Sequence, residues 1–262
     1  MSVKIDATWS CGASSAARKF LLNYASPSPA RDEALCVMAG VQGLRRGFYA
    51  ESPGRYPSIM SFLGSSKVLL RSSGDAVYLR PVTVDDCTRQ YEAWLADPRV
   101  NRFLETRWQP QDGQAILEFV REAIASDSCH LLAVVELSSS RHIGNIKIGA
   151  ISQRHLSADV SYFIGEVDCW GKGYGSEAVG LAVRLAFEEL GLFRLQAGVY
   201  SSNVSSIKVL VRNGFVQEGC WRQALVTQAS MRDDHLWFGL MRDEWARLSQ
   251  PAPRHGPPSD GR

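Results

Sequence analysis

The chain has 262 residues, with 29 basic and 27 acidic side chains and a formal net charge of +2. That balance provides no global basic field for nucleic acid, and an apolar content of 45% is ordinary for a globular protein with a proper core. The six cysteines (Cys11, Cys36, Cys87, Cys129, Cys169, Cys220) are scattered without a CxxC pair, so no metal, no disulfide framework and a reducing compartment are expected. The longest apolar runs, such as 131–135, are too short to span a bilayer. No apolar stretch follows Lys4 near the N-terminus, so a cytoplasmic protein without a membrane partner is expected.

The first 75 residues are rich in Ser, Ala, Arg and Gly, and Pro27, Pro29, Pro53 and Pro57 interrupt them. Only 16–24 and 33–41 read as helical. The segment is either a small accessory piece or an upstream extension, for which Met60 is a candidate natural start. A regular pattern begins at Ala76. Residues 77–81 alternate as a strand that Pro81 ends. A helix is expected from Val84-Asp85-Asp86 to just before Pro98, with Tyr91, Trp94 and Leu95 inward. A polar loop then carries Phe103-Leu104-Glu105-Thr106-Arg107-Trp108. A second helix starts near Asp112, with the face Ile116, Phe119, Val120, Ala123 and Ile124.

Strands are expected at 131–137, 142–151 and 158–165. The run Trp170-Gly171-Lys172-Gly173-Tyr174-Gly175-Ser176 follows and opens into a helix over 176–190, with Gly191 as its stop. Residues 193–200 read as a strand. Asn203 caps a helix that ends at Asn213-Gly214, and strands at 215–224 and 231–241 close the pattern. After Leu248 the Pro- and Gly-rich tail is disordered by composition. The organisation is thus an N-terminal segment at 1–75, one domain at 76–247 and a tail at 248–262.

Glycines at 171, 173 and 175 leave backbone N–H groups uncovered at a helix start, where the partial positive end favours a pyrophosphate. A Walker A loop does not fit: Gly165 and Gly171-Lys172 are out of step, and Gly173 stands where its hydroxyl belongs. The relaxed Rossmann pattern Gly173-x-Gly175-x-x-Ala178 lacks an acidic residue at the end of the next strand, which reads Val199-Tyr200-Ser201-Ser202.

This stretch resembles the GCN5-related N-acetyltransferases, the GNAT family. The family signature Arg/Gln-x-x-Gly-x-Gly/Ala falls on Trp170, Gly173 and Gly175, with Trp170 a departure at its first position. The second family signal, Asn-x-x-Ala/Ser and then Gly-Phe, matches Asn203, Ser206 and Gly214-Phe215. The resemblance covers about 76–247. It implies an α+β fold with a mixed central sheet, splayed middle strands and flanking helices.

The resemblance further implies acetyl-CoA as co-substrate. Gly171, Lys172, Gly173, Tyr174, Gly175 and Ser176 would cradle its pyrophosphate. Main-chain groups around Phe163, Ile164 and Gly165 would carry the pantetheine arm, and Asn203 would assist. Many family members place a Tyr seven residues after the Asn to protonate the sulfur, and here that position is Leu210. Ser206 is the nearest remaining hydroxyl. Asp159 and Glu105 are the candidate bases. Cys169 has no activating partner at informative spacing, so direct transfer is expected.

The expected partner is a small-molecule amine, and the resemblance leaves room for a homodimer. The run from Gly214 to Ala224 resembles ribosomal-protein N-terminal acetyltransferases, although Leu225 stands where those commonly have Glu. The segments 102–107 and 142–147 resemble acetyltransferases of amino-sugar nucleotides in surface-polysaccharide synthesis, the preferred reading. There Glu105 would hold the amine, Arg107 a phosphate and Trp108 a ring face. A coenzyme-binding module without catalysis is the remaining alternative.

Overall fold

The computed structural model describes residues 76–249. The helical segments expected at 16–24 and 33–41, the start at Met60 and the tail after 249 lie outside the described residues. Seven strands form one sheet in the order β1-β2-β3-β4-β5-β7-β6. They are β1 (Val77–Pro81), β2 (Cys129–Glu136), β3 (His142–Gly149), β4 (Ser157–Ile164), β5 (Arg194–Tyr200), β6 (Val216–Val226) and β7 (Arg232–Met241). Only β4 and β5 run parallel, and every other pairing is antiparallel.

The strands read as strands because their apolar side chains divide between two buried faces. Along β2, Leu132 and Val134 join one core cluster, while Leu131, Ala133 and Val135 join a second on the opposite face. A strand covered on both faces carries a continuous apolar run rather than an alternating one. The first face is covered by α4 (Tyr174–Arg184), which buries Ala178, Leu181 and Ala182. A π-helical turn, Leu185–Glu189, continues α4 and buries Leu185 and Ala186. The second face is covered by α1 (Arg89–Ala96) and α3 (Gly113–Ala125).

Local chemistry sets most helix ends. Thr88 and Asp112 accept from backbone N–H groups of Tyr91 and Ala115, capping α1 and α3. Asn203 Oδ1 accepts from Ser206 N at 3.2 Å and starts α5 (Val204–Arg212). Gly214, at φ +86°, ends it in the left-handed region.

Four local readings are corrected. The helix expected from Val84 starts only at Arg89, with Tyr91, Trp94 and Leu95 buried as expected, and Val84–Asp86 is a separate 3-10 turn, because Asp86 turns back to accept from Thr83 N and to pair with Arg80. The expected loop contains a short helix, α2 (Pro98–Asn101), since Asp97 caps it and Pro98 suits its first position. Ile124 is 40% exposed rather than part of the buried face of α3. The chain continues past β7 into α6 (Arg242–Ser249), where Trp245 packs on Phe187 at 5.6 Å between ring centroids. The sheet therefore dictates a helix that its polar sequence alone did not announce.

The feature that positions the site is the seam between β4 and β5. They pair only at Ser157↔Arg194, Ala158↔Leu195 and Asp159↔Gln196. Beyond that, β4 stays with β3 as far as Ile164↔Gly144, while β5 follows β7 as far as Tyr200↔His235. The middle of the sheet is thus open on its C-terminal side.

Candidate active site

A cleft of ≈ 1340 Å³ follows this seam. On the α4 face it begins at the glycine turn. Gly171 and Gly173 have φ values of +76° and +88°, which L side chains rarely adopt, and a Cβ on either would meet nothing within 4 Å. Gly173 caps α4 without a side-chain hydrogen bond. The first-turn N–H groups of α4 thus face open space beside bare backbone, which is what an anionic diphosphate requires. Trp170 replaces the family's Arg/Gln, and its Nε1 donates to Ile164 O at 2.8 Å, tying the turn to the end of β4. Asn213 Nδ2 donates to Ser176 O at 3.1 Å and holds the starts of the turn and helix beside α5. Lys172 stays outside the cleft lining, with its ammonium 5.8 Å from the Tyr174 ring centroid.

Strand geometry divides the expected coenzyme strand between its two edges. Gly165 N donates to Ile143 O at 2.8 Å, toward β3. Alternation along β4 turns the main-chain groups of Phe163 the same way and aims those of Val160, Tyr162 and Ile164 at the seam. Ile164 O is taken by Trp170. Phe163 is 6% exposed against Tyr91 and Trp94, and a Cβ at Gly165 would collide with the Trp94 indole. The Phe163 ring thus packs on the far face although the residue still lines the cleft, and Gly165 lies outside the lining.

Ser206 lines the cleft from α5, and its Oγ lies 2.8 Å from the Tyr162 hydroxyl on β4. Burial pushes the Tyr162 hydroxyl above its ordinary range, so it stays protonated as a donor. Leu210 is 1% exposed in the core and presents no polar group to the cleft. Tyr162 was missed from sequence because it reads there simply as a strand aromatic.

The other face of the seam carries different chemistry. Asp159, Ser161, Lys147, Gly198, Tyr200, His235, Trp221 and Trp237 all line the cleft. Asp159 accepts from Gln196 Nε2 at 2.7 Å, and burial raises its carboxyl above the usual carboxylate range. His235 is 7% exposed between Trp221 and Trp237, with centroid separations of 5.6 and 4.5 Å. Cys169 is buried, and burial pushes its thiol up, which suits direct transfer better than an acetyl-enzyme.

The acceptor loop is held closed by its own side chains. The Tyr200 hydroxyl donates to Glu105, and Arg107 Nη2 donates to Tyr200 Oη and Val226 O, each at 2.7 Å. Arg107 Nη1 donates to Leu104 O at 2.9 Å. Burial and the neighbouring Glu105 push the Tyr200 hydroxyl up to about 12. Glu105 therefore lines the cleft as the partner of Tyr200. Arg107 and Trp108 lie outside its lining, with the guanidinium stacked 4.4 Å over the 56%-exposed indole. The sequence placed these residues in a polar loop, but the latch needs partners more than ninety residues away. Among the described residues no cluster of His, Cys, Asp and Glu could hold a metal, and no helix is long and apolar enough to cross a membrane.

The profile of the Acetyltransferase (GNAT) domain matches residues 76–216. A Bacillus subtilis protein named "Probable N-acetyltransferase YjcK" is 30% identical over 181 residues, 65% of this chain and 97% of that protein. A Bacillus licheniformis protein named "Uncharacterized N-acetyltransferase p20" is 26% identical over 170 residues, 64% of this chain and 94% of that one. A spermidine N-acetyltransferase structure, the SpeG K23-Q34 chimera from Vibrio cholerae and hSSAT, superposes with a TM-score of 0.59 at 18% identity, covering 67% of this chain and 100% of that one. That last likeness speaks for the fold. With the splayed sheet, the uncapped glycine turn and the Asn203-led helix in place, the chain belongs to the GNAT family and is an N-acetyltransferase.

Proposed function

We propose that the chain moves the acetyl group of acetyl-CoA directly to the primary amine of an amino-sugar nucleotide. The observation that carries the reading is the open seam, with a phosphate-type turn on one face and a polar, aromatic wall on the other. Acetyl-CoA supplies the activated acyl thioester. Backbone N–H groups of Gly171, Gly173, Tyr174, Gly175 and Ser176 hold its pyrophosphate. Seam-facing main-chain groups of Val160 and Tyr162 hold the pantetheine arm, beside Asn203. Ser206, oriented by Tyr162, donates a hydrogen bond to the departing sulfur. Asp159 and Glu105 present carboxylates to the acceptor side, where Asp159 draws in the ammonium form of the amine.

The amino-sugar reading rests on the acceptor wall. Trp221 and Trp237 offer flat faces for a sugar ring. Arg107 lies outside the cleft lining, with Nη1 and Nη2 engaged by Leu104 O, Tyr200 Oη and Val226 O, so a cation for a diphosphate is Arg232, exposed in the cleft lining. Thiol release from acetyl-CoA is the test, run against a UDP-linked amino sugar, the same free amino sugar, spermidine and a peptide with a free N-terminus. The nucleotide sugar should have the highest kcat/KM. A preference for the peptide would move the chain to protein N-termini. Acetyl-CoA binding by calorimetry with no thiol release from any amine would make it a non-catalytic coenzyme module.

A further inference from the structure

Continuing the β4–β5 register past its last rung would set Ser161 opposite Gly198, where the seam has opened. Gly198 pairs across β5–β7 with Trp237, and Tyr200 with His235. Residues on one rung, and on rungs two residues apart, share a face. Ser161, Gly198, Trp237, His235 and Tyr200 therefore lie together on the face opposite α4. The imidazole leans from its own rung toward the seam, because a Cβ added at Gly198 would collide with His235 Nε2. Only glycine leaves that space on β5. Two buried polar atoms on this face, Ser161 Oγ and Trp237 Nε1, have no hydrogen-bond partner among the described residues. A donor-capable hydroxyl, an indole N–H and an imidazole thus line the cleft on one face of the opened seam.

We propose that this rung is the head of the acceptor site and that His235 is the base that takes the proton from the attacking amine. The inference rests on the N-acetyltransferase reading but not on the nucleotide part of it. The amine nitrogen bonds to the acetyl carbon, the carbon–sulfur bond breaks, and its electron pair leaves on the sulfur. The amine's proton goes to His235 Nε2, while the sulfur is stabilised from the other face by Ser206. Trp221 and Trp237 flank the imidazole and select an acceptor whose amine is carried on or next to a ring.

The charged and titratable neighbours agree with a neutral base. Desolvation lowers the imidazole below its ordinary value, and Glu105, from the acceptor loop, opposes that shift. Tyr200, on the adjacent strand, is itself held protonated. On its own strand, Asp233 is engaged by the Ser201 and Ser202 hydroxyls, and Asp234 by the Gln223 N–H. No ion pair to His235 is present among the described residues. The ring is thus neutral near pH 7 and free to accept a proton.

The test uses the full chain, saturating acetyl-CoA and benzylamine, a ring-bearing amine without phosphate, so failure of the nucleotide reading leaves it intact. His235→Gln should lower kcat/KM by roughly 10²-fold, the scale of general base catalysis. It should also abolish the acid limb of the pH profile and leave the calorimetric acetyl-CoA Kd unchanged. Gly198→Ala, which displaces the imidazole without removing it, should reproduce the loss. Gly219→Ala, where a Cβ would meet nothing within 4 Å, should not. Nitrogen-15 imidazole spectra of the parent should show His235 neutral at pH 7 and shifted by benzylamine. Parent-like rates and pH profiles in both His235→Gln and Gly198→Ala would overturn the proposal. So would a His235 already protonated at pH 7, or a parent that releases no thiol with benzylamine.

Discussion

Leu210 stands where many family members carry a tyrosine for the sulfur, and its burial gives that position to the core. In the proposed mechanism the hydroxyl comes instead from a hydrogen-bonded pair on two elements, Ser206 on α5 and Tyr162 on β4. Ser206 also donates its backbone N–H to Asn203, so a helix cap fixes where its side chain points. Ser206→Ala keeps that backbone bond and removes only the Oγ. It should lower kcat by roughly 10²-fold with little change in acetyl-CoA KM. Turnover within about twofold of the parent would reduce Ser206 to a helix-start residue. Gly173 makes a second test at this scale. Its φ of +88° costs a non-glycine residue roughly 1–2 kcal/mol, and a branched side chain would fill the open space above the turn. Gly173→Val should therefore fold with a lower Tm and lose acetyl-CoA binding by calorimetry. Unchanged affinity in a folded variant would remove the turn from the coenzyme site.

At the scale of elements, the acceptor loop behaves as a strap rather than as a row of ligands. Arg107 joins the loop to the end of β5 and to the end of β6 through Tyr200 Oη and Val226 O. Asn101 Oδ1 adds a second tie, accepting from Gln228 Nε2 at 2.7 Å. Hydrogen bonds to a charged group contribute about 1.5–3 kcal/mol each when well made, and the guanidinium makes three. Arg107→Ala should therefore loosen the acceptor wall and raise the acceptor KM by about ten- to a hundredfold, leaving the acetyl-CoA Kd alone. In steady-state assays that loss should be similar for a nucleotide sugar and its free amino sugar, because the strap touches neither phosphate nor sugar. A loss confined to the nucleotide sugar would instead make Arg107 a phosphate ligand.

For the molecule as a whole, His130 couples folding to pH. It lies on β2 at 5% exposure, and desolvation lowers it from 6.5 to about 4. Between those values the unfolded chain binds the proton and the folded chain does not. Stability is therefore fully present above pH 6.5 and is lost as pH falls toward 4. From pH 7 to pH 5 this one group accounts for about 2 kcal/mol. Urea unfolding should show that His130→Leu removes this share of the acid loss, so that between pH 7 and pH 5 the variant gains about 2 kcal/mol relative to the parent. An identical pH dependence in both would mean that His130 is hydrated in the fold.

Much of what depends on short range was legible in the sequence. Caps at Asp112 and Asn203 reach three residues ahead, the glycines at 171, 173 and 175 act through their own backbone, and helix faces repeat with the helical period. These suffice for the fold class and the coenzyme turn. The polar helix at Arg242–Ser249 escaped because it is stabilised by what it packs against rather than by its own period, while the short helix at Pro98–Asn101, though capped locally by Asp97, is too brief to show a period. The acceptor face could not be read at all from local pattern. Tyr162 meets Ser206 across 44 residues, and Tyr200 meets Glu105 across 95. His235 lies on Gly198 through a strand pairing. Strand alternation dictates which residues share a face, but which strands part company, and what then meets across the gap, is decided only when the sheet is assembled.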